Sequence, residues 1–315
     1  MTFDYNKHVI LLALAGSRAY GINNESSDYD YRGVIIPPPH LARGFLHSFE
    51  QKEGLEGYGK DSTAYDIRKF CYLAMNCNPN IVETLFVDDS LVQINTKYGK
   101  ELRKNKELFL SKRARRTFSG YAFAQLKRIK QHKAWWDKEL SGEVPPKPSR
   151  AQLGLPAKAK YKKDVLNGLM SVPTEMLDPE KKEYILSERK YFLAKQKYDS
   201  WKTWRTERNP ARYLLEKEFG YDLKAATHLV RLTVMCEEIA TEGTVIVTRP
   251  DAEFLKSVRV GAWNYDGLIA WAEEKEAKLD KLYENSTLQD EPDKDKINQL
   301  CVDLVEQAEK DGFGK

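Results

Sequence analysis

Cysteines and long apolar runs are both scarce in this sequence. Its 315 residues include four cysteines (Cys71, Cys77, Cys236 and Cys301) with no CxxC spacing, so we expect reduced thiols and neither a disulfide scaffold nor a zinc site. The longest apolar run, Val9–Ala15, is too short to span a bilayer. The first residues lack the basic-then-apolar order of a signal peptide. We therefore expect a cytoplasmic protein without membrane contact.

Positive charge is concentrated in the middle of the chain, although the net charge is only +4. Residues 100–165 contain nineteen Lys or Arg against six Asp or Glu, whereas residues 271–315 contain seven against thirteen. This asymmetry indicates a middle region that faces a polyanion and an acidic, solvated end. A solvated lysine-rich surface is the alternative for the middle region. If nucleic acid binds there, Arg113, Arg115 and Arg116 are predicted to face its phosphates.

The first ninety or so residues have the pattern of alternating strands and helices. Val9–Ala15 is a continuous apolar run that predicts a buried strand. Asp30–Ile36 predicts a second strand, ended by three prolines, and Asp61–Tyr65 a third. A helix is predicted to follow, with Asp66 as its N-cap.

The remainder of the chain has a helical pattern. Helices are predicted over residues 112–138, 179–205, 223–241, 265–283 and 294–309, with a short β-like run at 244–248. The predicted division is a catalytic core over residues 1–96 and a mainly helical region over residues 97–315. A Pro/Lys-rich insert is placed at about residues 141–175 and is predicted to be loop-like.

The most informative segment joins the first two predicted strands. Glycine at position 16 lets the backbone approach a ligand closely, and Ser17 adds a hydroxyl donor for phosphate oxygens. Strand alternation places Asp28 and Asp30 on one side of the next strand. Two such carboxylates repel each other unless a hard cation lies between them. The segment therefore predicts a nucleoside triphosphate site with Mg²⁺, or Mn²⁺ in its place.

A two-metal site needs a third carboxylate, which also helps to deprotonate an attacking hydroxyl. Asp61 and Asp66 compete for this role. We favour Asp61, because the third strand would place it beside the Asp pair, whereas Asp66 is better placed as a helix cap.

The order of these motifs resembles a known family. Gly16-Ser17, ten residues and Asp28-x-Asp30 are similar to the signature of polymerase-β-like nucleotidyltransferases. Residues 15–21 and 27–34 resemble one branch, the predicted nucleotidyltransferases of bacteria and their phages that include RNA-ligase-associated members. The resemblance continues through residues 65–70, 78–83, 221–224, 228–232 and 259–261.

The resemblance implies an α+β fold, in which a mixed sheet with flanking helices precedes a mainly helical region. It also implies that Asp28, Asp30 and Asp61 are the catalytic, metal-binding residues and that Ser17 contacts the nucleotide phosphates. The other residues predicted to bind the nucleotide, which share the loop of Ser17, are Gly16, Arg18 and Tyr20.

One stripe of the helix predicted over residues 223–241 carries Lys224, His228 and Arg231 beside an apolar stripe. These cations could hold phosphates or an RNA end, or they could form a solvated helix edge. The resemblance favours the first alternative, so we predict that all three bind substrate. His228 lacks a second His or Cys at a metal-binding spacing, and we assign it to substrate contact.

Two tryptophan pairs allow different predictions. Trp201 and Trp204 lie at helical spacing and are predicted to be core residues. Trp135 and Trp136, beside Lys130 and Lys133, are a better candidate for stacking on a base.

The sequence as a whole predicts a template-independent nucleotidyltransferase that moves NMP from an NTP to an acceptor hydroxyl. An RNA 3′ end, such as that of a tRNA, ranks first and is predicted to bind through the basic segment 100–165. A protein hydroxyl is the rival acceptor. A catalytically silent module that binds RNA or a partner is the third alternative, and three intact carboxylates argue against it.

Overall fold

The computed structural model describes residues 4–43 and 49–314, with Ala211 and Arg212 described by their backbone alone. In these residues one sheet contains five strands: β1 (Val9–Ala15), β2 (Asp30–Ile35), β3 (Gln51–Glu53), β4 (Ser62–Asp66) and β5 (Val92–Asn95). Their order across the sheet is β3-β4-β2-β1-β5. Strands β2 and β4 are parallel and the other neighbours are antiparallel. The sheet is therefore mixed, and the predicted fold class is confirmed.

Strand β1 is the buried strand that its apolar run predicts. Ile10, Leu11 and Leu12 have no exposed surface, as expected for a strand covered on both faces. Its last residue, Ala15, pairs with Asp30 at the start of β2. Because β2 and β4 run parallel, they start at the same edge of the sheet. The end of β1 and the starts of β2 and β4 therefore meet at this edge.

The described residues contain thirteen α-helices. They are α1 (Gly16–Ala19), α2 (Pro39–Ala42), α3 (Ile67–Met75), α4 (Pro79–Phe86), α5 (Lys97–Lys104), α6 (Arg113–Leu140), α7 (Lys163–Ser171), α8 (Pro179–Thr206), α9 (Pro210–Phe219), α10 (Leu223–Glu242), α11 (Ala252–Arg259), α12 (Tyr265–Glu284) and α13 (Lys294–Lys310). The five long helices predicted from the sequence are α6, α8, α10, α12 and α13, each within two residues of its predicted ends. Every helix in the described part of the chain is too short or too polar to cross a membrane.

The described chain forms two compact units, one of residues 4–129 and 223–314 and the other of residues 130–222. In the first unit Val9, Leu12 and Ile35 belong to a hydrophobic cluster on the sheet. Residues 97–129 and 223–314 pack in the same unit as this sheet. The predicted division at residue 96, between a catalytic core and a mainly helical region, stays a prediction.

The second unit has an aromatic core. Trp201 and Trp204 are 5% and 6% exposed, which confirms their prediction as core residues. Trp136 is buried with them, and the Trp135 ring lies 5.3 Å from that of Trp204. The prediction that Trp135 and Trp136 stack on a base is therefore wrong for Trp136, because the core already covers its ring.

Two predicted segments differ from the structure. Residues 244–248 are not a strand; Val245 and Val247 are buried there, so the alternating pattern reflects packing and not strand pairing. The insert at about residues 141–175 contains α7, since Leu166 packs on Ile185 of α8. The two strands absent from the prediction, β3 and β5, have only three and four residues, too few to show a clear period.

Candidate active site

The turn after β1 brings the backbone against a carboxylate. Gly16 has a φ of +64°, which favours glycine, and a Cβ added there would lie 2.2 Å from Asp30 Oδ2. Only a residue without a side chain fits this contact. The turn continues as the single helical turn α1, closed by a hydrogen bond from the Ile22 N–H to the Ser17 carbonyl oxygen at 3.0 Å. Ser17 is thus held next to the Asp30 carboxylate.

Three aspartates, Asp28, Asp30 and Asp61, lie along the edge where β2 and β4 start, but their ligand atoms do not all come within 4.8 Å of one another. Asp30 is partly buried, and burial raises the pKa of its carboxyl. The carboxylates of Asp61 and Asp28 raise this pKa further, while Arg32 and Lys224 act in the opposite direction. The edge therefore concentrates negative charge around Asp30, the situation in which a hard cation binds oxygen ligands.

The two candidates for the third carboxylate have different surroundings. Asp61 is exposed and directly precedes β4, where its carbonyl oxygen accepts the Tyr31 N–H at 3.3 Å. Asp66 is buried at the far end of β4, accepts the Arg68 backbone N–H at 2.7 Å and pairs with the Arg68 guanidinium. Asp66 is therefore the N-cap of α3, as predicted. Asp61 is the candidate that acts on Asp30.

Arg18 supports the loop that carries the Asp pair. Its Nη2 donates to the Ser27 carbonyl oxygen at 2.8 Å and its Nε to that of Asp28 at 3.3 Å. The guanidinium also lies 3.7 Å from the ring centre of Tyr29. The structure thus occupies Arg18 with the protein's own loop, and its predicted contact with a nucleotide remains a prediction.

Tyr20 belongs to a buried polar triad. Its hydroxyl donates to Glu83 of α4 at 2.6 Å, and Arg231 Nη1 of α10 meets the other oxygen of Glu83 at 2.6 Å. The Arg231 guanidinium also lies 3.9 Å from the centre of the Tyr20 ring, and burial raises the pKa of Tyr20. Arg231 is only 3% exposed, so the structure does not bring it to a substrate surface.

A cleft of about 190 Å³ lies between these carboxylates and α10. It is lined by Gly16, Ser17, Tyr20, Ile22, Asn24, Ser26, Ser27, Asp28, Asp30, Lys224, Thr227, His228 and Arg259. Of the cations predicted on α10, Lys224 and His228 are in this wall and Arg231 is not. The cleft therefore has hydroxyl and carboxylate groups on one side and cationic groups on the other.

Sequence reasoning missed two cationic residues of the site. Arg32 lies two residues after Asp30 on β2, hence on the same face of the strand, and acts on Asp30. Arg259, at the end of α11, lines the cleft, and its Nη1 donates to the Ile22 carbonyl oxygen at 3.3 Å. The alternation could have revealed Arg32, but no spacing rule links residue 259 to the loop after β1.

The basic segment is partly neutralised within the protein. Arg113 pairs with Glu291, and Arg115 pairs with Glu276 and Asp280. The prediction that Arg113, Arg115 and Arg116 face the phosphates of a nucleic acid stays a prediction, and the guanidinium groups of Arg113 and Arg115 already meet carboxylates. The acidic end of the chain is correspondingly more than a solvated tail.

The mixed sheet, the glycine-serine turn and the aspartates around Asp30 are the features that the sequence predicts for a nucleotidyltransferase of the polymerase-β type. The model of a family described as "RlaP: RNA repair pathway DNA polymerase beta family" matches residues 2–140. Residues 2–140, somewhat less than half of the chain, are therefore similar to a polymerase beta family linked to RNA repair. Searches of curated proteins and of solved structures gave no match.

Enzymes of this family typically use divalent metal ions. The residue types fit such ions, because Asp28, Asp30 and Asp61 offer only oxygen ligands and because Asp30 lies in a negative environment that a cation would relieve. The three carboxylates would have to move closer together to hold one ion, since their ligand atoms do not all lie within 4.8 Å of one another. Mg²⁺ and Mn²⁺ both prefer ligands of this kind.

Proposed function

We propose that this chain is a template-independent nucleotidyltransferase that transfers NMP from an NTP to the hydroxyl of an RNA 3′ end. The observation that carries the proposal is the contact of the Asp30 carboxylate with Gly16, opposite a cationic cleft wall. The family's link to RNA repair supports RNA as the acceptor.

In this proposal the cleft binds the triphosphate from both sides. Ser17 donates its hydroxyl to a phosphate oxygen, and Lys224, His228 and Arg259 neutralise the phosphates from the opposite wall. Asp28, Asp30 and Asp61 would hold Mg²⁺, which when bound neutralises the charge that develops on the phosphates. Positioning and electrostatics of this kind supply most of the catalysis in phosphoryl transfer.

Asp61 has the second role of accepting the proton of the attacking hydroxyl. The acceptor oxygen forms a bond to the α-phosphorus, and the bond from that phosphorus to the pyrophosphate oxygen breaks. The exposure of Asp61 leaves room for an acceptor to approach. Tyr20, Glu83 and Arg231 are positioning residues, since they fix the turn that carries Ser17.

We further propose that the RNA backbone contacts Lys100, Lys104 and Lys106. These lysines line a second cleft of about 320 Å³ and lie within the basic segment predicted from the sequence. Arg103 in the same cleft is already paired with Asp89. We prefer these lysines to Arg113 and Arg115, whose guanidinium groups already meet carboxylates.

The test is to incubate the protein with each α-labelled NTP and Mg²⁺, in the presence of RNA or of protein. Label is expected in RNA with a free 3′ hydroxyl and not in RNA whose 3′ end is blocked. The combined substitutions Asp28→Ala and Asp30→Ala should lower the rate of NMP transfer by roughly 10³-fold or more. They remove the proposed metal ligands, and each 1.36 kcal/mol of transition-state stabilisation that is lost lowers the rate tenfold.

The matched control combines Asp295→Ala with Asp303→Ala, two exposed carboxylates of α13, and should keep full activity. Label in protein instead of RNA would show that the acceptor is a protein hydroxyl. Absence of label everywhere, or full activity in the Asp28/Asp30 double variant, would refute the proposed reaction.

A further inference from the structure

A second group of metal-ligating side chains lies in the unit of residues 130–222. His132 of α6, Glu216 of α9 and Asp222, directly before α10, place their ligand atoms within 4.8 Å of one another. Among residues 4–43 and 49–314 this is the one such group of three. The three residues are 8%, 4% and 2% exposed. The group is therefore buried and uses none of the residues of the candidate active site.

The turn after α9 brings the two carboxylates together. Gly220 has a φ of +79°, and its N–H donates to the Glu216 carbonyl oxygen at 2.8 Å. A glycine in this conformation ends a helix and reverses the chain. Asp222 is therefore returned to the last turn of α9, beside Glu216.

The imidazole of the group is held by aromatic rings. The His132 ring stacks on that of Trp135 at 5.5 Å and lies 5.9 Å from that of Trp204. Because these rings belong to the aromatic core, the orientation of His132 is fixed before any ligand binds. Such preorganisation is typical of sites built to hold an ion.

The charges of the group also point to a cation. Two buried carboxylates repel each other, and their burial is costly unless positive charge compensates them. The Arg208 guanidinium approaches Glu216 at 3.5 Å, but it is shared with Glu139 at 3.6 Å. A divalent ion between Glu216, Asp222 and His132 would place positive charge directly between the two carboxylates.

The donor set defines the class of the ion. One imidazole nitrogen and two carboxylate oxygens suit a divalent transition metal, whereas Mg²⁺ and Ca²⁺ prefer oxygen alone. Bonds of about 2.0–2.2 Å keep the ligands of one ion within about 4.4 Å of each other. The ligand atoms of the three side chains lie within 4.8 Å of one another, which is close to this limit.

We propose that His132, Glu216 and Asp222 bind a divalent transition-metal ion of the Zn²⁺ type. The ion would tie α6 to the turn between α9 and α10 and would stabilise the unit of residues 130–222. None of the three ligands is a cysteine, so the search for cysteine spacings in the sequence could not indicate this site. It also differs in residues and in metal class from the Mg²⁺ site of the proposed reaction.

The experiment uses the full chain, stripped with a chelator, loaded with Zn²⁺ or Co²⁺ and desalted. Bound metal is measured by mass spectrometry, and bound Co²⁺ by its visible absorption spectrum. We expect about one tightly bound ion per chain. His132→Gln and Glu216→Gln should each weaken binding by about 100-fold or more.

Two controls define the site. Glu218→Gln, an exposed neighbour on α9, and the Asp28→Ala and Asp30→Ala double variant should both keep the ion. If a variant fails to fold by circular dichroism, Asp222→Asn takes its place. A wild-type chain that retains no ion would overturn the proposal, and so would ligand variants that bind as tightly as wild type.

Discussion

Gly16 is subject to two independent constraints, one from its own backbone and one from Asp30. Its positive φ disfavours any residue with a Cβ, and the Asp30 carboxylate occupies the space where that Cβ would be. The two constraints can be separated by comparison with Gly54. This glycine has a φ of +66°, but nothing lies within 4 Å of its added Cβ.

We expect Gly54→Ala to lower the free energy of unfolding by about 1 kcal/mol, the cost of the left-handed backbone alone. Gly16→Ala should lower it by about 2–3 kcal/mol, because the Asp30 carboxylate must also move. The displaced carboxylate should cost Gly16→Ala most of its transferase activity, whereas Gly54→Ala should remain active. Urea titration and the labelled-NTP assay measure the two effects, and equal losses in both variants would contradict the constraint from Asp30.

Asp30 makes a second prediction possible because burial raises its pKa. A carboxyl whose pKa is raised by folding binds more protons in the folded state, so ionised Asp30 destabilises the fold at neutral pH. Asp30→Asn should therefore increase the free energy of unfolding at pH 7, on the order of 0.5 kcal/mol after solvent screening.

The gain from Asp30→Asn should disappear as the pH falls below about 3.9, the pKa of an unperturbed aspartate, since both side chains are then neutral. Thermal unfolding at several pH values measures this effect. Asp303→Asn, an exposed carboxylate on α13, is the control and should leave the pH profile unchanged. A gain that persists in acid would contradict an electrostatic origin.

Between elements, the triad of Tyr20, Glu83 and Arg231 joins the turn after β1 to α4 and α10. Removal of one partner from a buried ion pair leaves the other charge uncompensated. We expect Arg231→Met to lower the free energy of unfolding by about 3 kcal/mol. The double variant with Glu83→Gln should recover part of this loss, because neither charge remains.

Transferase activity distinguishes the proposed roles of Arg231. If Arg231 is a positioning residue, the double variant should recover activity along with stability. A variant that is restored in stability and still inactive would indicate direct contact of Arg231 with substrate, as the sequence first predicted. A double-mutant cycle by urea titration and labelled-NTP assay provides both measurements.

The elements that could be predicted from the sequence are those with a regular apolar pattern that extends over many residues. Strand β1 and helix α10 each show such a pattern, and both have the predicted bounds to within one residue. The buried valines of residues 244–248 show the same alternation without a partner strand. A period indicates which residues are buried, but not whether their backbone pairs.

The predictable part of the site is the part that is local in sequence. Gly16, Ser17, Asp28 and Asp30 lie within fifteen residues of one another, so strand alternation alone groups them. Arg259 reaches the cleft only through the packing of α11, and Arg231 shared its polar stripe with Lys224 but faces inward. Tertiary packing determines where Arg259 and Arg231 lie, and the helical spacing of residues in the sequence carries no information about this packing.

At the scale of the whole molecule, the basic residues of segment 100–165 fall into two groups with different surroundings. Lys112, Arg113 and Arg115 meet carboxylates from residues 276–291. Lys100, Lys104 and Lys106 instead line a cleft with one acidic residue, Asp89. Local charge counts therefore overstate the surface available to a polyanion.

We expect the triple substitution of Lys100, Lys104 and Lys106 by Glu to weaken RNA binding by about 10-fold or more. The slope of log affinity against log salt should fall by about 2, since roughly three phosphate contacts are lost. Fluorescence anisotropy across a salt series measures both quantities. The matched control substitutes Glu for Lys281, Lys294 and Lys310, which lie outside the segment; an equal loss there would indicate a nonspecific charge effect.

The order of the cleft residues along the chain has a consequence for protein synthesis. The three aspartates of the candidate site are complete once Asp61 has been made, whereas the cationic residues that line the cleft end with Arg259. At roughly 5–20 residues per second, the ribosome needs about 10–40 s to cover the distance between them. During that interval the nascent chain has the aspartates without the opposing cations, so the nucleotide binding proposed above has to wait until most of the polypeptide has been made.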